Sequence, residues 1–427
     1  WMAVFGKSII SIRLLSIIYG VLCVWVVFLL AKESLGEKVA LLSAFLVAIS
    51  PFHIHYSQEI RMYILYCLLL ISATYALFQA VQTQKTKWWV LFAVFAALSQ
   101  YTHNIAAIYL IPLALSPILK KDWLSLRKSI LSSIGAALLY LPWLMILPSQ
   151  IRRVAQTFWI APPGVERILS TLLTFVVNLP LEGMLLVIGL IITILLLTFA
   201  LWHTTIVLKS KDGLSSDGIW FAYLAFAPPL FLFLLSQWFP VFVERALLPS
   251  AVMFLIWLAW VIRESSFHKV VNIFLLFLIV ISGGIGLFQH ISYQGFPYAP
   301  YKELGDYLQN HASPNDLIVH SNKLSVLSLG VYFPTLSHEF VADPPGDGSD
   351  IFKPATQKAL GFIASPTIEE AVSGNATVWF IIFNKAIEEF RAIGEETHPH
   401  INWLNQHYEL IAVDEWGSLQ LHKYIKH

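Results

Sequence analysis

The sequence predicts a mainly α, polytopic membrane helical bundle followed by a small α/β domain outside the membrane. Three observations carry that expectation. Of 427 residues, 57% are hydrophobic and only 12% are charged, against roughly 25% charged in an ordinary soluble domain. Apolar runs of membrane length recur up to about residue 290 and then stop. Lys and Arg fall in alternate loops between those runs, the pattern that sets membrane topology. The net charge of +1 leaves no nucleic-acid footprint and singles out no partner. Cys23 and Cys67 both lie inside apolar runs, where a thiol packs as a small hydrophobe. Neither sits in a CxxC or metal-type spacing, and no disulfide framework follows.

The apolar runs are 9–31, 39–50, 61–82, 88–99, 104–119, 129–147, 183–208, 219–236, 246–262 and 270–289, ten candidate spans in all. Those at 39–50 and 88–99 are short of the roughly 20 residues a crossing takes. They borrow polar flanks or form tilted half-helices. Pro51 marks a helix end and Pro142 a kink, since proline removes a helical donor. One set of loops holds Lys32, Lys38, Lys85, Lys87, Lys120, Lys121, Arg127, Lys128, Lys209, Lys211, Arg263 and Lys269. The alternate set holds Arg61, Arg152, Arg153, Arg167 and Arg245. Twelve against five puts the first set in the cytoplasm, and the alternation persists only if all ten spans are real. The stretches 51–60, 101–104, 148–182, 237–245 and everything after about 290 are then outside.

Loop 148–182 is too long for a plain connector. It carries Gln150, Arg152, Arg153, Gln156, Trp159, Pro162 and Pro163 and then an apolar amphipathic stretch at 168–177, a mixture that suits an interfacial helix. Arg152 and Arg153 attract an anionic carrier or anionic lipids, or have no such role. Beyond His290 the composition turns polar, so the spans form one domain, 1–290, and a soluble domain follows at 291–427. In it, 316–320 and 377–383 read as buried strands. Residues 301–310, 367–372 and 385–403 read as helices, 343–350 as a loop, and 408–413 with 418–424 as a closing strand pair around Glu415-Trp416-Gly417.

One stretch concentrates the chemistry. Residues 51–63 gather His53, His55, Tyr56, Glu59, Arg61 and Tyr63 between long apolar runs. Charge is costly in hydrocarbon, so this cluster sits at the bilayer rim or in a wet cavity. Ser50-Pro51-Phe52-His53-Ile54-His55-Tyr56-Ser57-Gln58-Glu59-Ile60-Arg61-Met62-Tyr63 resembles the second-outer-loop signature of bacterial glycosyltransferases of the GT-C superfamily. The group in question is the family-39-like one related to protein O-mannosyltransferases and lipopolysaccharide-core galacturonosyltransferases. Other stretches resemble that family in order along about 1–290. They are Trp1-Met2-Ala3-Val4-Phe5-Gly6 with Arg13, Tyr101-Thr102-His103, and Glu244-Arg245-Ala246-Leu247-Leu248-Pro249, in which Ala246 stands where Tyr is usual.

The resemblance implies a GT-C type bundle that takes a sugar from a polyprenyl-phosphate carrier outside the membrane. The sugar then passes to a protein, lipid or glycan acceptor. It also implies an Asp-bearing first outer loop acting as base, which would precede Trp1 together with a first helix. The opening at Trp1 therefore reads as the continuation of a longer protein.

Such transfer needs a base for the acceptor, donors for the leaving phosphate and an apolar groove for the lipid tail. Glu59 orients the acceptor, assists that Asp or holds a divalent metal; the bland alternative is pairing with Arg61. His53 and His55 bind the donor phosphate or, with Glu59, a metal, because an extended His-x-His puts both rings on one side. No cofactor is certain, and a divalent metal stays open. Arg61 and Arg245 suit phosphate by their forked donors; snorkelling to headgroups is the bland reading of Arg245. His103 is a substrate contact or a helix cap. Tyr56 and Tyr63 are interfacial anchors or sugar platforms. Asn375-Ala376-Thr377 fits a glycosylation acceptor pattern by chance. Two other classes stand beside the transferase: a transporter or flippase for lipid-linked glycans, and a sensor or scaffold whose outer domain binds a partner.

Overall fold

The computed structural model describes residues 1–6, 8–149, 162–210, 213–344 and 354–427. Lys7, Gln150, Arg152, Arg153, Gln156, Trp159 and Lys211 lie outside the described residues, as does most of the loop expected at 343–350. The chain divides into two compact units, Trp1–Ile291 and Ser292–His427.

The first unit is helical. After a short α1 (Met2–Phe5) come α2 (Ile9–Leu35), α3 (Glu37–Ile49), α4 (Pro51–Gln58), α5 (Tyr63–Thr83), α6 (Thr86–Thr102), α7 (Ala107–Leu115), α8 (Trp123–Leu139) and α9 (Leu141–Leu144). They are followed by α10 (Glu166–Val176), α11 (Gly183–Leu208), α12 (Asp217–Leu235), α13 (Leu248–Glu264) and α14 (Lys269–Ser292). Among the described residues, six helices are individually long and apolar enough to cross a membrane, or up to eight spans if each bent pair counts once. That is fewer than the ten expected. The remaining two candidates are α6, of 17 residues, and the apolar segment around α7, which breaks into 3-10 turns at both ends. Both prolines singled out in the sequence lie at sharp bends: α3 meets α4 at 57° beside Pro51, and α8 meets α9 at 65° beside Pro142. A helix stands at the stretch 168–177, as expected: it is α10.

Helix α13 runs through the middle of the bundle, with 94% of its apolar window buried. Its sides are apolar all round, as a helix enclosed by others requires. Small residues let neighbours approach closely. A Cβ on Gly20 of α2 would lie 2.4 Å from Ser57 Oγ on α4. One on Gly286 of α14 would lie 1.9 Å from the Val177 carbonyl oxygen and 2.6 Å from Pro51 Cγ. Close backbone approach through glycine is how helices pack tightly where lipid offers no hydrophobic drive.

The second unit holds α15 (Tyr301–His311), β1 (Leu317–His320), α16 (Lys323–Tyr332), β2 (His338–Phe340), α17 (Pro354–Leu360) and α18 (Ile368–Val372). It ends with β3 (Thr377–Phe383), α19 (Asn384–Ala392), α20 (Pro399–His407), β4 (Tyr408–Trp416) and β5 (Leu419–Lys426). The sheet order is β2-β1-β3-β5-β4. Strand β1 pairs in parallel with β2 and β3, while β3, β5 and β4 run antiparallel. Helices cover both faces of β3, which is why its sequence is a continuous apolar run rather than an alternation.

The single helix expected at 385–403 is two. Gly394 adopts φ 95° and Pro399 opens the second helix, so the chain turns between them. The hairpin turn falls at Gly417 and Ser418, one residue later than expected, because Gly417 takes φ 61°. Helices α16 and α17 and strand β2 are additions to the expected set.

Two outcomes follow. Gly286→Ala should destabilise the detergent-solubilised protein by about 1–3 kcal/mol through overpacking, while Gly284→Ala, with open space around it, should not. Equal melting temperatures would contradict this packing. Burial pushes His398 down to about 3 and His400 and His422 down to about 4. The folded second unit therefore favours the neutral rings. Its stability is full above the unfolded value of about 6.5 and is lost as pH falls from there toward 4. Each titrating ring removes about 1.4 kcal/mol per pH unit. Hydrogen exchange of β3 and β5 in the whole protein should quicken between pH 6.5 and 4.5 beyond the change seen in α13. Uniform exchange across both units would contradict it.

Candidate active site

The polar stretch begins with a helix start. Ser50 caps α4, its hydroxyl accepting from the His53 N–H, and Pro51 occupies the first turn, where a missing N–H costs nothing. The segment 51–58 is therefore helical, and the expectation of an extended His-x-His is wrong. Positions two apart on a helix point about 200° from one another, so the two rings separate. His53 is buried and, with Ile17, Gly20, Val21, Val24 and Gln58 among others, lines a cavity of about 260 Å³ between α2 and α4. Its Nε2 has no partner. His55 faces the other way. Its ring lies 4.7 Å from that of His290 at the end of α14, and its Nδ1 is 3.4 Å from Asn178 Nδ2. Among the described residues, no three His, Cys, Asp or Glu side chains stand together as a metal site would need.

Glu59 ends α4 in extended backbone. Its carbonyl oxygen accepts from Ser16 Oγ on α2, fixing the chain where it leaves the helix. One carboxylate oxygen lies 3.4 Å from Arg61 Nε, and the other is buried without a partner. Burial raises the Glu59 pKa, and the charges of Arg61 and then Arg245 oppose that rise. Arg245, far along the chain, therefore stands within electrostatic reach of Glu59. It lies in a 3-10 turn, Glu244–Leu247, that leads into α13. Its guanidinium carbon sits 5.4 Å from the ring centre of Tyr63, the first residue of α5. Its Nε is buried with no partner. Arg61 is over half exposed, so its ion pair contributes little to stability.

His103 follows α6 and caps the 3-10 turn Asn104–Ala106, its Nδ1 accepting from the Ile105 N–H. That bond assigns the proton of the neutral ring to Nε2. Burial and the charge of Arg245 lower its pKa, so the ring offers an N–H donor rather than a charge. Tyr63 lies 5.8 Å from His103 and 5.3 Å from Tyr56, whose ring stacks on His55. Glu59, Arg61, Tyr63, His103 and Arg245 thus form one cluster. His55 adjoins it through Tyr56, and His53 faces the α2 side.

Three groups of this region were not singled out as site residues from sequence: His290, Asn178 and Tyr66. A histidine closing an apolar span was a usable signal for His290. Asn178 at φ 71° and Tyr66, whose hydroxyl donates to the Ala246 carbonyl at 3.1 Å, needed the tertiary structure. Arg167 of α10 belongs here too, 2.7 Å from Glu244. Because Arg245 opposes protonation of His103, Arg245→Gln should raise the His103 pKa. Imidazole chemical shifts followed against pH would show the midpoint move upward, and an unmoved midpoint would separate the two groups.

The family described as "Dolichyl-phosphate-mannose-protein mannosyltransferase" matches residues 1–146. No curated protein sequence matches the chain. Among solved structures, ArnT from Cupriavidus metallidurans in the apo state superposes with a TM-score of 0.59 at 10% identity, covering 99% of this chain and 85% of ArnT. The same protein bound to undecaprenyl phosphate gives a TM-score of 0.57 at 10% identity and the same coverage. The chain is a membrane protein with the fold of ArnT, and its first 146 residues are similar to the family described as dolichyl-phosphate-mannose-protein mannosyltransferase.

Proposed function

We propose that the protein transfers a sugar from a polyprenyl-phosphate carrier to a hydroxyl of a protein, lipid or glycan on the outer face of the membrane. The observation that carries this reading is a juxtaposition. The unpartnered Nε of Arg245 and the unpartnered carboxylate oxygen of Glu59 are buried in one polar cluster. A buried donor or acceptor left without a hydrogen bond carries a desolvation cost, and a phosphosugar with an attacking hydroxyl would satisfy both atoms at once.

The roles follow from the chemistry of each group. The acceptor oxygen attacks the anomeric carbon, and the bond from that carbon to the phosphate oxygen breaks. Glu59 takes the hydroxyl proton, its pKa raised by burial toward the range of a working base. Arg245, Arg61 and the His103 Nε2–H face the leaving phosphate as its charge grows. Tyr63 holds the Arg245 guanidinium over its ring. The cavity between α2 and α4, apolar along Ile17, Val21 and Val24, suits part of an isoprenoid tail. His53 and His55 would touch the donor only from opposite sides of α4.

Sidedness is supported by the helix ends. Glu59 and His103 lie at the start of α5 and the end of α6, while Lys85 and Lys87 lie at the other ends of those helices. Lysine-rich ends favour the cytoplasm. A transporter would carry its polar groups near the midplane, and this cluster is at the helix ends. On this reading the Ser292–His427 unit is outside, where we assign it to acceptor recognition.

The experiment is transfer from a labelled polyprenyl-phosphate sugar in reconstituted membranes. Glu59→Gln should lower turnover at least about 100-fold with unchanged melting temperature, and Arg245→Ala should raise the donor KM more than the acceptor KM. Near-normal turnover by Glu59→Gln would refute the assignment.

A further inference from the structure

Arg245 sits on a short turn, and three contacts fix that turn. Glu244 pairs with Arg167 of α10 at 2.7 Å. The Arg245 guanidinium rests over Tyr63. The carbonyl of the next residue, Ala246, accepts from the hydroxyl of Tyr66 at 3.1 Å. Tyr63 and Tyr66 are three apart on α5, so they share one helix face. That face therefore grips two successive residues of the turn, one by its side chain and one by its backbone. Tyr66 is 1% exposed, and its ring lies 5.9 Å from that of His103.

We infer that Tyr66 is a positioning residue. Its hydroxyl, held on the Ala246 carbonyl, sets where the Arg245 guanidinium meets the donor phosphate. This rests on the reading of Arg245 given above. The physical argument is geometric. The Glu244–Leu247 turn has only one residue between the Arg245 Cα and the Tyr66 anchor, so little slack separates the anchor from the guanidinium. The Arg167 side of the other tether is by contrast half exposed, and it holds the turn from the residue before, through a pair that salt and water weaken. In Tyr66→Phe the ring stays and the anchor goes, leaving a buried carbonyl unpaired. The turn can then shift, and Arg245 with it.

The test is a double-mutant cycle on binding of undecaprenyl phosphate to the whole detergent-solubilised protein, with melting temperature followed alongside. Tyr66→Phe should weaken binding about threefold to tenfold. In an Arg245→Ala background it should add almost nothing, because the anchor then has no guanidinium to place. Such non-additivity is the mark of residues acting together. A purely structural role would weaken binding equally in both backgrounds and track the loss of melting temperature; either result overturns the inference. If Arg245→Ala alone leaves binding unchanged, the phosphate-binding reading of Arg245 fails first, and the Tyr66 inference fails with it. If Arg245→Ala weakens binding and Tyr66→Phe does not, only the positioning inference fails.

Discussion

Keeping charge near hydrocarbon is expensive, and the whole site depends on how this bundle meets that cost. Glu59 leaves α4 at a point where burial raises its pKa, and two arginines act against the rise. One of them, Arg61, comes from the same turn of chain and is largely solvated. The other, Arg245, comes from a distant part of the chain and rests over the ring of Tyr63. Its neighbour Glu244 is taken by Arg167. The outcome is a cation and an acid brought close without each fully neutralising the other, an arrangement left open to a charged ligand.

The helices exist in the form they do so that these groups can meet. Central helix α13 is apolar on every side, and the turn before it is where polarity can resume. Helix α4 can stand against α2 because Gly20 leaves room for Ser57, and α14 can approach Pro51 because Gly286 has no side chain. Tyr63 and Tyr66 at the start of α5 then bind the Arg245 turn from one side. Packing of small residues thus sets how closely α4 approaches α2 and α14.

Much of this was legible in the residues. The apolar runs, the polar stretch 51–63, Arg245, His103 and strands 316–320 and 377–383 each carry a signal of their own, because hydrophobic length and isolated charge are local properties. Segment 51–58 differs from the extended expectation because a Ser-Pro pair starts a helix as readily as it breaks one, and the helix drives His53 and His55 apart. Helix 385–403 was read through Gly394, whose φ of 95° ends it. The short β2 and the interrupted segment around α7 lack the length that makes periodicity visible. Tyr66 and Asn178 acquire meaning from partners more than a hundred residues away.

The Arg245 charge opposes the rise that burial gives the Glu59 pKa. The most direct measurement is an infrared titration of the Glu59 carboxyl band, assigned by its loss in Glu59→Gln, in the protein with and without Arg245→Gln. Removing the cation should shift the Glu59 midpoint to higher pH. A midpoint unchanged by the loss of Arg245 would mean the two groups do not share a site, and the account would fail.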